Sequence, residues 1–235
     1  MKMKRMMGNV LAIAVATALS AGAAIGADDK GGKGKGKNEG PKAAVKAPSA
    51  ASNAHLAQSL VRYGDANKDA VAMITAARIL SAEGAQDKKR DKKTQGGKGD
   101  EAKQGADMTV AGILARAKQY AGDRKDVIAM ADDVAASGSR GRANGPGRSV
   151  TVVRTGATDV FTEVFRGGEP AFVGISGDGD SDLDLYVYDE NGNLICRSTT
   201  AGDDEACRWN PRWTGPFRIQ VRNLGVANRY VIGTN

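Results

Sequence analysis

The chain has 235 residues and a formal net charge of +7, and 41% of its residues are hydrophobic, which is enough for two small folded units. The charge is unevenly distributed, because every lysine precedes Ser149 and the segment from there onward carries eight arginines against twelve acidic residues. A single histidine, His55, and the lack of a Gly-x-Ser-x-Gly motif argue against a histidine-dependent hydrolase. We therefore expect two regions with different partners and no enzyme activity.

Residues 1–27 have the three parts of a secretory signal peptide: a basic start, an apolar run at 10–19 and a stretch of small residues. The apolar run of about ten residues is shorter than the roughly 20 that a membrane-spanning helix needs. We expect cleavage after Gly26 or Ala27 and export to the periplasm or the medium. The mature chain is then predicted not to span a membrane.

Two tracts rich in lysine and glycine, residues 28–50 and 86–106, supply little apolar surface for a core. We predict a disordered tether for the first and a basic low-complexity insert for the second. Their charge would also suit contacts with anionic surfaces such as lipopolysaccharide or cell-wall polymers. Neither tract carries the interleaved aromatic residues of a single-strand binding platform, so no specific nucleic-acid partner is expected.

The helical region at 51–136 contains an internal repeat at an offset of 57 residues, in which Tyr63 matches Tyr120. Each unit is predicted to be a helix, a polar break at 64–67 or 122–124, and a second helix. Two such αα-hairpins form a small Ala-rich four-helix unit. The pair loosely resembles tetratricopeptide-type helical repeats.

Apolar residues recur at spacings of three and four within each predicted helix, as expected for helices with one buried face. On this pattern Leu56, Tyr63 and Val71 are predicted to pack inside the unit. The abundance of alanine predicts close approach of the helices and a thin core.

A Gly-, Ser- and Pro-containing linker at 137–148 separates this unit from a region of period-two alternation at 149–235. Seven or eight short strands with turns about every ten residues are typical of an antiparallel β-sandwich. The overall prediction is an α+β multidomain chain.

Three segments of the strand-rich region resemble, in order, the bacterial pre-peptidase C-terminal (PPC) domain family. They are Asp182-Leu183-Asp184-Leu185-Tyr186-Val187-Tyr188-Asp189 with the following Asn191-Gly192, Thr214 to Val221, and Asn228 to Val231. The resemblance implies a jelly-roll-like, non-catalytic sandwich of the kind attached to secreted peptidases. One hypothesis is therefore an accessory protein that assists a separately encoded secreted peptidase.

Export determines how the two cysteines, Cys196 and Cys207, are interpreted. Cysteine pairs in oxidising compartments usually form disulfides, and neither residue lies in a Cys-x-x-Cys motif. We predict a disulfide that closes a short loop between neighbouring strands and contributes about 3 kcal/mol.

Two interpretations of the acidic residues before and within the 183–188 strand remain open. An EF-hand loop that begins at Asp178 is excluded, because its sixth position would be Leu183 instead of glycine and its closing position would be Asp189 instead of glutamate. A looser Ca²⁺ site would give a calcium-dependent structural or adhesion module, with ligands from Asp178, Asp180, Asp182, Asp203 and Asp204. The favoured alternative has no cofactor: Asp182 and Asp184 face outward and pair with Arg218 and Arg222 on a neighbouring strand.

The function predicted is that of an exported binding protein of the envelope or extracellular space, with a protein or polysaccharide partner. The best candidate contact residues are Tyr186, Tyr188, Trp209, Trp213 and Arg222. Packing at the edge of the sandwich is the alternative role for both tryptophans.

Overall fold

The computed structural model describes residues 36–41, 49–99, 103–138 and 145–235. The predicted signal peptide and most of the predicted tether lie outside the described residues. The described helices are α1 (Ser49–Asn67), α2 (Ala70–Ala82), α3 (Val110–Ala121) and α4 (Lys125–Ser137). The described strands are β1 (Gln86–Asp87), β2 (Lys93–Lys98), β3 (Gly147–Val153), β4 (Thr155–Phe165), β5 (Ala171–Ser176), β6 (Leu183–Tyr188), β7 (Leu194–Ser198), β8 (Asp204–Trp209), β9 (Gly215–Asn223) and β10 (Asn228–Thr234).

The strands form two five-stranded sheets, which confirms the predicted α+β class with a sandwich-like arrangement. Sheet 1 has the order β1-β3-β10-β5-β8, and sheet 2 has the order β2-β4-β9-β6-β7. All pairs are antiparallel except β1 with β3, so sheet 1 is mixed rather than purely antiparallel.

The core of the sandwich follows from the period-two alternation of its central strands. Leu183, Leu185 and Val187 on β6 are fully buried, as the sequence predicted, and the inward residues of β9 lie beside them in the register. Alternate side chains of a strand point to opposite faces, so one face of each strand enters the core. Burial of each large aliphatic side chain contributes about 1.5–3 kcal/mol.

The basic tract at 86–106 is not a solvated insert of the helical unit, contrary to the prediction. Its first part supplies β1, which pairs with β3, and β2, which pairs with β4, so it provides an edge strand to each sheet. The backbone hydrogen bonds of an edge strand need no apolar side chains, and lysines are common on such edges. A Cβ on Gly97 would lie 2.5 Å from that of Ala157, which explains a glycine at this close approach.

The helical unit departs from the predicted boundaries at its first break. α1 continues through Gly64 to Asn67 and ends before Lys68, which has a φ of 54°. Gly64 is needed inside the helix because a Cβ there would lie 2.7 Å from the side chain of Met73 on α2. The predicted break at 64–67 is therefore wrong by one helical turn.

The predicted packing of three bulky residues is also wrong, because Leu56, Tyr63 and Val71 are exposed. α1 buries small residues instead, since it lies against both α2 and the outer face of sheet 1. Close approach to two neighbours leaves the larger side chains on the solvent side. The α1 residues at the sheet are Ala51, Ala54, His55 and Gln58, which lie against Gly174, Val231 and Gly233.

Residues 36–41, which the sequence assigned to the disordered tether, are seated on the sandwich. Asn38 is fully buried, and its Oδ1 accepts hydrogen bonds from the backbone of Arg212 at 2.9 Å and of Trp213 at 3.1 Å. Its own backbone N–H donates to Asp189 Oδ2 at 2.9 Å. A single side chain that satisfies several buried backbone groups fixes this segment, despite the poor hydrophobicity around it.

Candidate functional site

The outer face of sheet 2 brings together most of the predicted contact residues. In the register of β6 and β9, Tyr188 lies opposite Arg218 and Asp184 opposite Arg222, so these strands are neighbours, as the cofactor-free interpretation assumed. Tyr186 lies opposite Arg197 of β7 on its other side. We call this surface the arginine–tyrosine face, defined by Tyr186, Tyr188, Arg197, Arg218 and Arg222.

The three arginines of this face are exposed and both tyrosines are partly buried. The guanidinium carbon of Arg218 lies 4.8 Å from the ring centroid of Tyr188, within the range of a cation–π interaction. The predicted outward position of Asp184 is wrong, because this residue is only 7% exposed and accepts a hydrogen bond from the Tyr186 hydroxyl at 3.1 Å instead of forming the predicted ion pair with an arginine of β9. Burial raises the pKa of Tyr186, and the Asp184 carboxylate adds to the increase. The face therefore presents exposed positive charge around neutral phenols.

Trp209 is not part of any contact surface, which corrects the prediction. It is 1% exposed and packs edge-on against Phe165 at a centroid distance of 4.8 Å in the sandwich core. Trp209 shares the buried face of β8 with Glu205 and Cys207, whereas the adjacent Arg208 is exposed, and this alternation accounts for the burial of the ring. Trp213 is half-buried, and its Nε1 donates to Glu190 at 2.5 Å, which holds the ring beside the docked Asn38 segment.

The predicted disulfide between Cys196 and Cys207 is confirmed, with a Cα–Cα distance of 5.8 Å. Cys196 lies on β7, the last strand of sheet 2, and Cys207 lies on β8, the last strand of sheet 1. The bond therefore joins the two sheets at one side of the sandwich.

The first pair of candidate calcium ligands is held by a lysine. Lys103 forms ion pairs with Asp178, at 2.7 Å, and with Asp180. Burial raises the pKa of Asp178, and its hydrogen bond with Asp180 adds to the increase although Lys103 opposes it. Burial would lower the pKa of Lys103, but the two carboxylates outweigh that effect and raise it. Lys103 thus occupies the position that a cation would take between these acids.

The second pair is held by α1. Asp204 Oδ1 lies 2.8 Å from His55 Nε2, its Oδ2 accepts from the Ser59 hydroxyl at 2.5 Å, and Arg62 bridges Asp204 and Asp203. Burial alone would raise the pKa of Asp204, but His55, Ser59 and Arg62 outweigh it and lower the pKa. Asp182 makes none of these contacts. Within the described ranges, no three ligand-type side chains meet as a metal-binding group, and calcium binding stays a prediction.

A cavity of about 260 Å³, which the sequence did not predict, opens between α1, residues 105–108 and sheet 1. Its wall includes Gln58 on α1, Ser176 at the end of β5 and Arg229 on β10. Gln58 is the one feature of the sequence that points to this site, because it is a polar residue on the otherwise alanine-rich buried face of α1. The cavity forms where the helix packs on the sheet, and neither the helical nor the strand pattern predicts that packing.

The fold and these surfaces define an α+β protein in which a helical layer covers one sheet of a disulfide-linked β-sandwich. None of the described helices is long and apolar enough to cross a membrane. No model of a known protein family matches the chain, and no curated protein matches it. The resemblance to PPC domains therefore remains a prediction.

Two solved structures show weak similarity to part of the chain. One is a periplasmic inhibitor of g-type lysozyme from Aeromonas hydrophila, with 17% identity and a TM-score of 0.33 over 38% of this chain and 84% of that one. The other is a mitogen from Yersinia pseudotuberculosis, with 12% identity and a TM-score of 0.32 over 39% of this chain and 85% of that one. Similarity of this degree assigns neither a family nor a partner.

Proposed function

We propose that the chain is an exported, non-catalytic binding protein that recognises an acidic protein partner in the periplasm or outside the cell. The observation that carries this proposal is the arginine–tyrosine face, which lies on the side of the sandwich opposite α1. The outer face of sheet 1 is covered by α1, whereas the arginines of sheet 2 are exposed.

The composition of this face matches that of binding hot spots in protein interfaces. Arginine and tyrosine are enriched at such positions because they combine a large contact area with hydrogen bonding. Tyr186 and Tyr188 are already partly buried in the sheet, so they lose little side-chain freedom on binding. A sheet surface that combines partly buried aromatic side chains with exposed guanidinium groups suits a protein partner.

Charge supports an acidic partner. The face exposes three arginines, Arg197, Arg218 and Arg222. The carboxylate of Asp184, which lies opposite Arg222 in the register, is buried against Tyr186. Complementary charge speeds association and excludes partners of the wrong sign. A secreted peptidase is the kind of protein partner that the PPC resemblance suggests.

Export is supported by the predicted signal peptide and by the disulfide, because such bonds persist in oxidising compartments. N-terminal sequencing of the protein recovered from periplasm or medium tests this step. We expect a mature chain that begins after Gly26 or Ala27. Recovery of the uncleaved chain in the cytoplasm would contradict export.

Site-specific photo-crosslinking in the exporting cells tests the face. We expect a discrete crosslinked protein from a probe at Tyr188 and none from a probe at Tyr63, which is exposed on α1 on the other side of the molecule. Equal crosslinking from both positions, or crosslinks to polysaccharide alone, would exclude the proposed protein interface.

The captured partner is then titrated with charge-reversed variants. We expect Arg218→Glu with Arg222→Glu to weaken binding at least about a hundredfold, since truncated hot-spot residues cost 2 kcal/mol or more each. The matched control is Arg78→Glu with Arg124→Glu, which makes the same charge change at exposed positions of the helical unit. Similar losses for the two double variants would indicate non-specific attraction and refute the assignment of the face.

A further inference from the structure

The cavity beneath α1 contains polar groups that the fold itself does not satisfy. Gln58 and Ser176 are each 4% exposed, and both line its wall. Among the described residues, neither the two amide atoms of Gln58 nor the Ser176 hydroxyl has a hydrogen-bond partner. Buried polar groups are nearly always paired, and an unpaired one costs about 1–3 kcal/mol. An amide and a hydroxyl left unpaired on one cavity wall therefore indicate a ligand with complementary groups.

The charges around the cavity add a requirement for an anion. Asp65 is held by Arg116 at 2.9 Å, Asp178 by Lys103, and Arg62 by Asp203 and Asp204. In the described part of the chain, the guanidinium of Arg229 makes no hydrogen bond or ion pair of this kind, although it lines the same cavity. Burial lowers the pKa of Arg229, and Asp178 only partly opposes this. A carboxylate beside Arg229 would supply its missing partner.

Several aliphatic side chains complete the wall. Val61, Met108, Val150 and Val231 line the cavity together with the polar groups. A pocket of this kind, mostly apolar with a few polar groups that fix orientation, is typical of small-molecule sites. Its volume of about 260 Å³ lies just below the usual range of 300–1,000 Å³, which favours a compact ligand.

We propose that this cavity binds a small organic carboxylate that also carries an amide and a short aliphatic group, the chemistry of an N-acylated amino acid or a peptide C-terminus. The carboxylate pairs with Arg229, the amide pairs with Gln58 and Ser176, and the aliphatic group contacts Val61 and Met108. The site lies on the α1 side of the sandwich and is independent of the arginine–tyrosine face.

The first test uses the full mature protein and three matched probes, followed by nitrogen-15 NMR titration. N-acetyl-leucine has all three features, N-acetyl-leucinamide lacks the carboxylate, and 4-methylpentanoate lacks the amide. We expect N-acetyl-leucine to shift the side-chain amide signals of Gln58 and the backbone signal of Gly177. Each of the other probes should bind about tenfold more weakly, which corresponds to 1.4 kcal/mol. Equal affinity for N-acetyl-leucine and N-acetyl-leucinamide, or shifts confined to other regions, would overturn the proposal.

The second test uses variants of the wall. Arg229→Gln should weaken N-acetyl-leucine binding at least about tenfold while leaving N-acetyl-leucinamide unaffected, because a lost charge-assisted hydrogen bond is worth 1.5–3 kcal/mol. Gln58→Leu should weaken N-acetyl-leucine but not 4-methylpentanoate. Arg166→Gln, at an exposed position outside both proposed sites, is the matched control. Unchanged binding by Arg229→Gln, or an equal loss in Arg166→Gln, would refute the site, and the wild-type probe series decides the question if a wall variant fails to fold.

Discussion

Arg90 donates from its Nε to Oε1 of Glu163 over 2.8 Å, and this ion pair lies between the two sheets. Glu163 belongs to β4 of sheet 2, whereas the guanidinium also donates to Gly147 O at 3.0 Å and to Thr234 Oγ1 at 2.8 Å in sheet 1. The Arg90 side chain is 1% exposed. Burial lowers the pKa of Arg90, although Glu163 opposes the change. One residue of a tract predicted to be solvated therefore links both sheets.

Replacing Arg90 tests this structural role. We expect Arg90→Ala to lower the free energy of unfolding by about 3–5 kcal/mol, because Glu163 and several buried acceptors lose their partner. Urea denaturation of the mature protein measures the change. The control is Lys89→Ala, at the exposed neighbouring position, which should stay within about 0.5 kcal/mol of the wild type. Comparable stability of the two variants would show that the tract is a dispensable linker after all.

The sequence predicted those parts of the fold in which the alternation of apolar and polar residues matches the alternation of buried and exposed side chains. The alternation on β6 and β9 indicated the inward residues of both strands, whereas their pairing was only assumed. The tract with Arg90 gave no such signal, because an edge strand is held by backbone hydrogen bonds and by distant partners such as Glu163. Composition reports local apolar content, whereas these partners lie about 70 positions away in the chain.

The candidate sites show the same division. Tyr188 and Arg218 could be assigned to one face from alternation, and the structure places them within 4.8 Å. Trp209 was misassigned because its burial depends on how β8 pairs with β5 in sheet 1. The cavity at Gln58 and Arg229 arises from contact between the helical layer and the sheet, which no local pattern encodes.

The disulfide offers a second prediction. Cys196 and Cys207 join the edge strands of the two sheets. Loss of the bond increases the conformational entropy of the unfolded chain, because the loop between the two cysteines is no longer closed. We expect Cys196→Ala with Cys207→Ala to lower the free energy of unfolding by about 3 kcal/mol in the chain-entropy model. Urea denaturation with and without reductant checks this, because the reductant should affect the wild type and leave the double variant unchanged. A wild type insensitive to complete reduction would contradict the predicted contribution.

The contact of Asp204 with His55, Ser59 and Arg62 predicts a dependence of stability on pH. The pKa of Asp204 is lowered in the folded protein, so the folded state binds this proton less readily than the unfolded state. The stabilisation is therefore fully present above the unfolded value of about 3.9 and is lost as pH falls through the lower folded value. Asp203, which shares Arg62, lies in the same cluster.

We measure this as the difference in unfolding free energy between the wild type and Asp204→Asn at several pH values. The variant should be less stable at pH 7, by about 1.5–3 kcal/mol for the lost charged hydrogen bonds, and the difference should shrink below about pH 4. Asp123→Asn, at an exposed position between α3 and α4, serves as the control and should show no such trend. A difference that stays constant from pH 7 to pH 3 would mean that the charge of Asp204 contributes nothing.

Calcium removal gives the last prediction, which separates the two interpretations of the acidic residues. Because Lys103 is bound between Asp178 and Asp180, and α1 binds Asp203 and Asp204, these carboxylates already have cationic partners. We expect the calorimetric melting temperature to be the same in chelator and in excess calcium. A tightly bound ion would instead stabilise the folded state by about 2.7 kcal/mol at a hundredfold excess over its Kd, which amounts to several degrees for a chain of this size.

Lys103→Met sharpens the comparison, since it removes the internal cation from Asp178 and Asp180. A calcium-dependent rise in melting temperature that appears in this variant alone would show that Lys103 takes the place of an ion, whereas the same rise in the wild type would establish a calcium site and refute the cofactor-free interpretation.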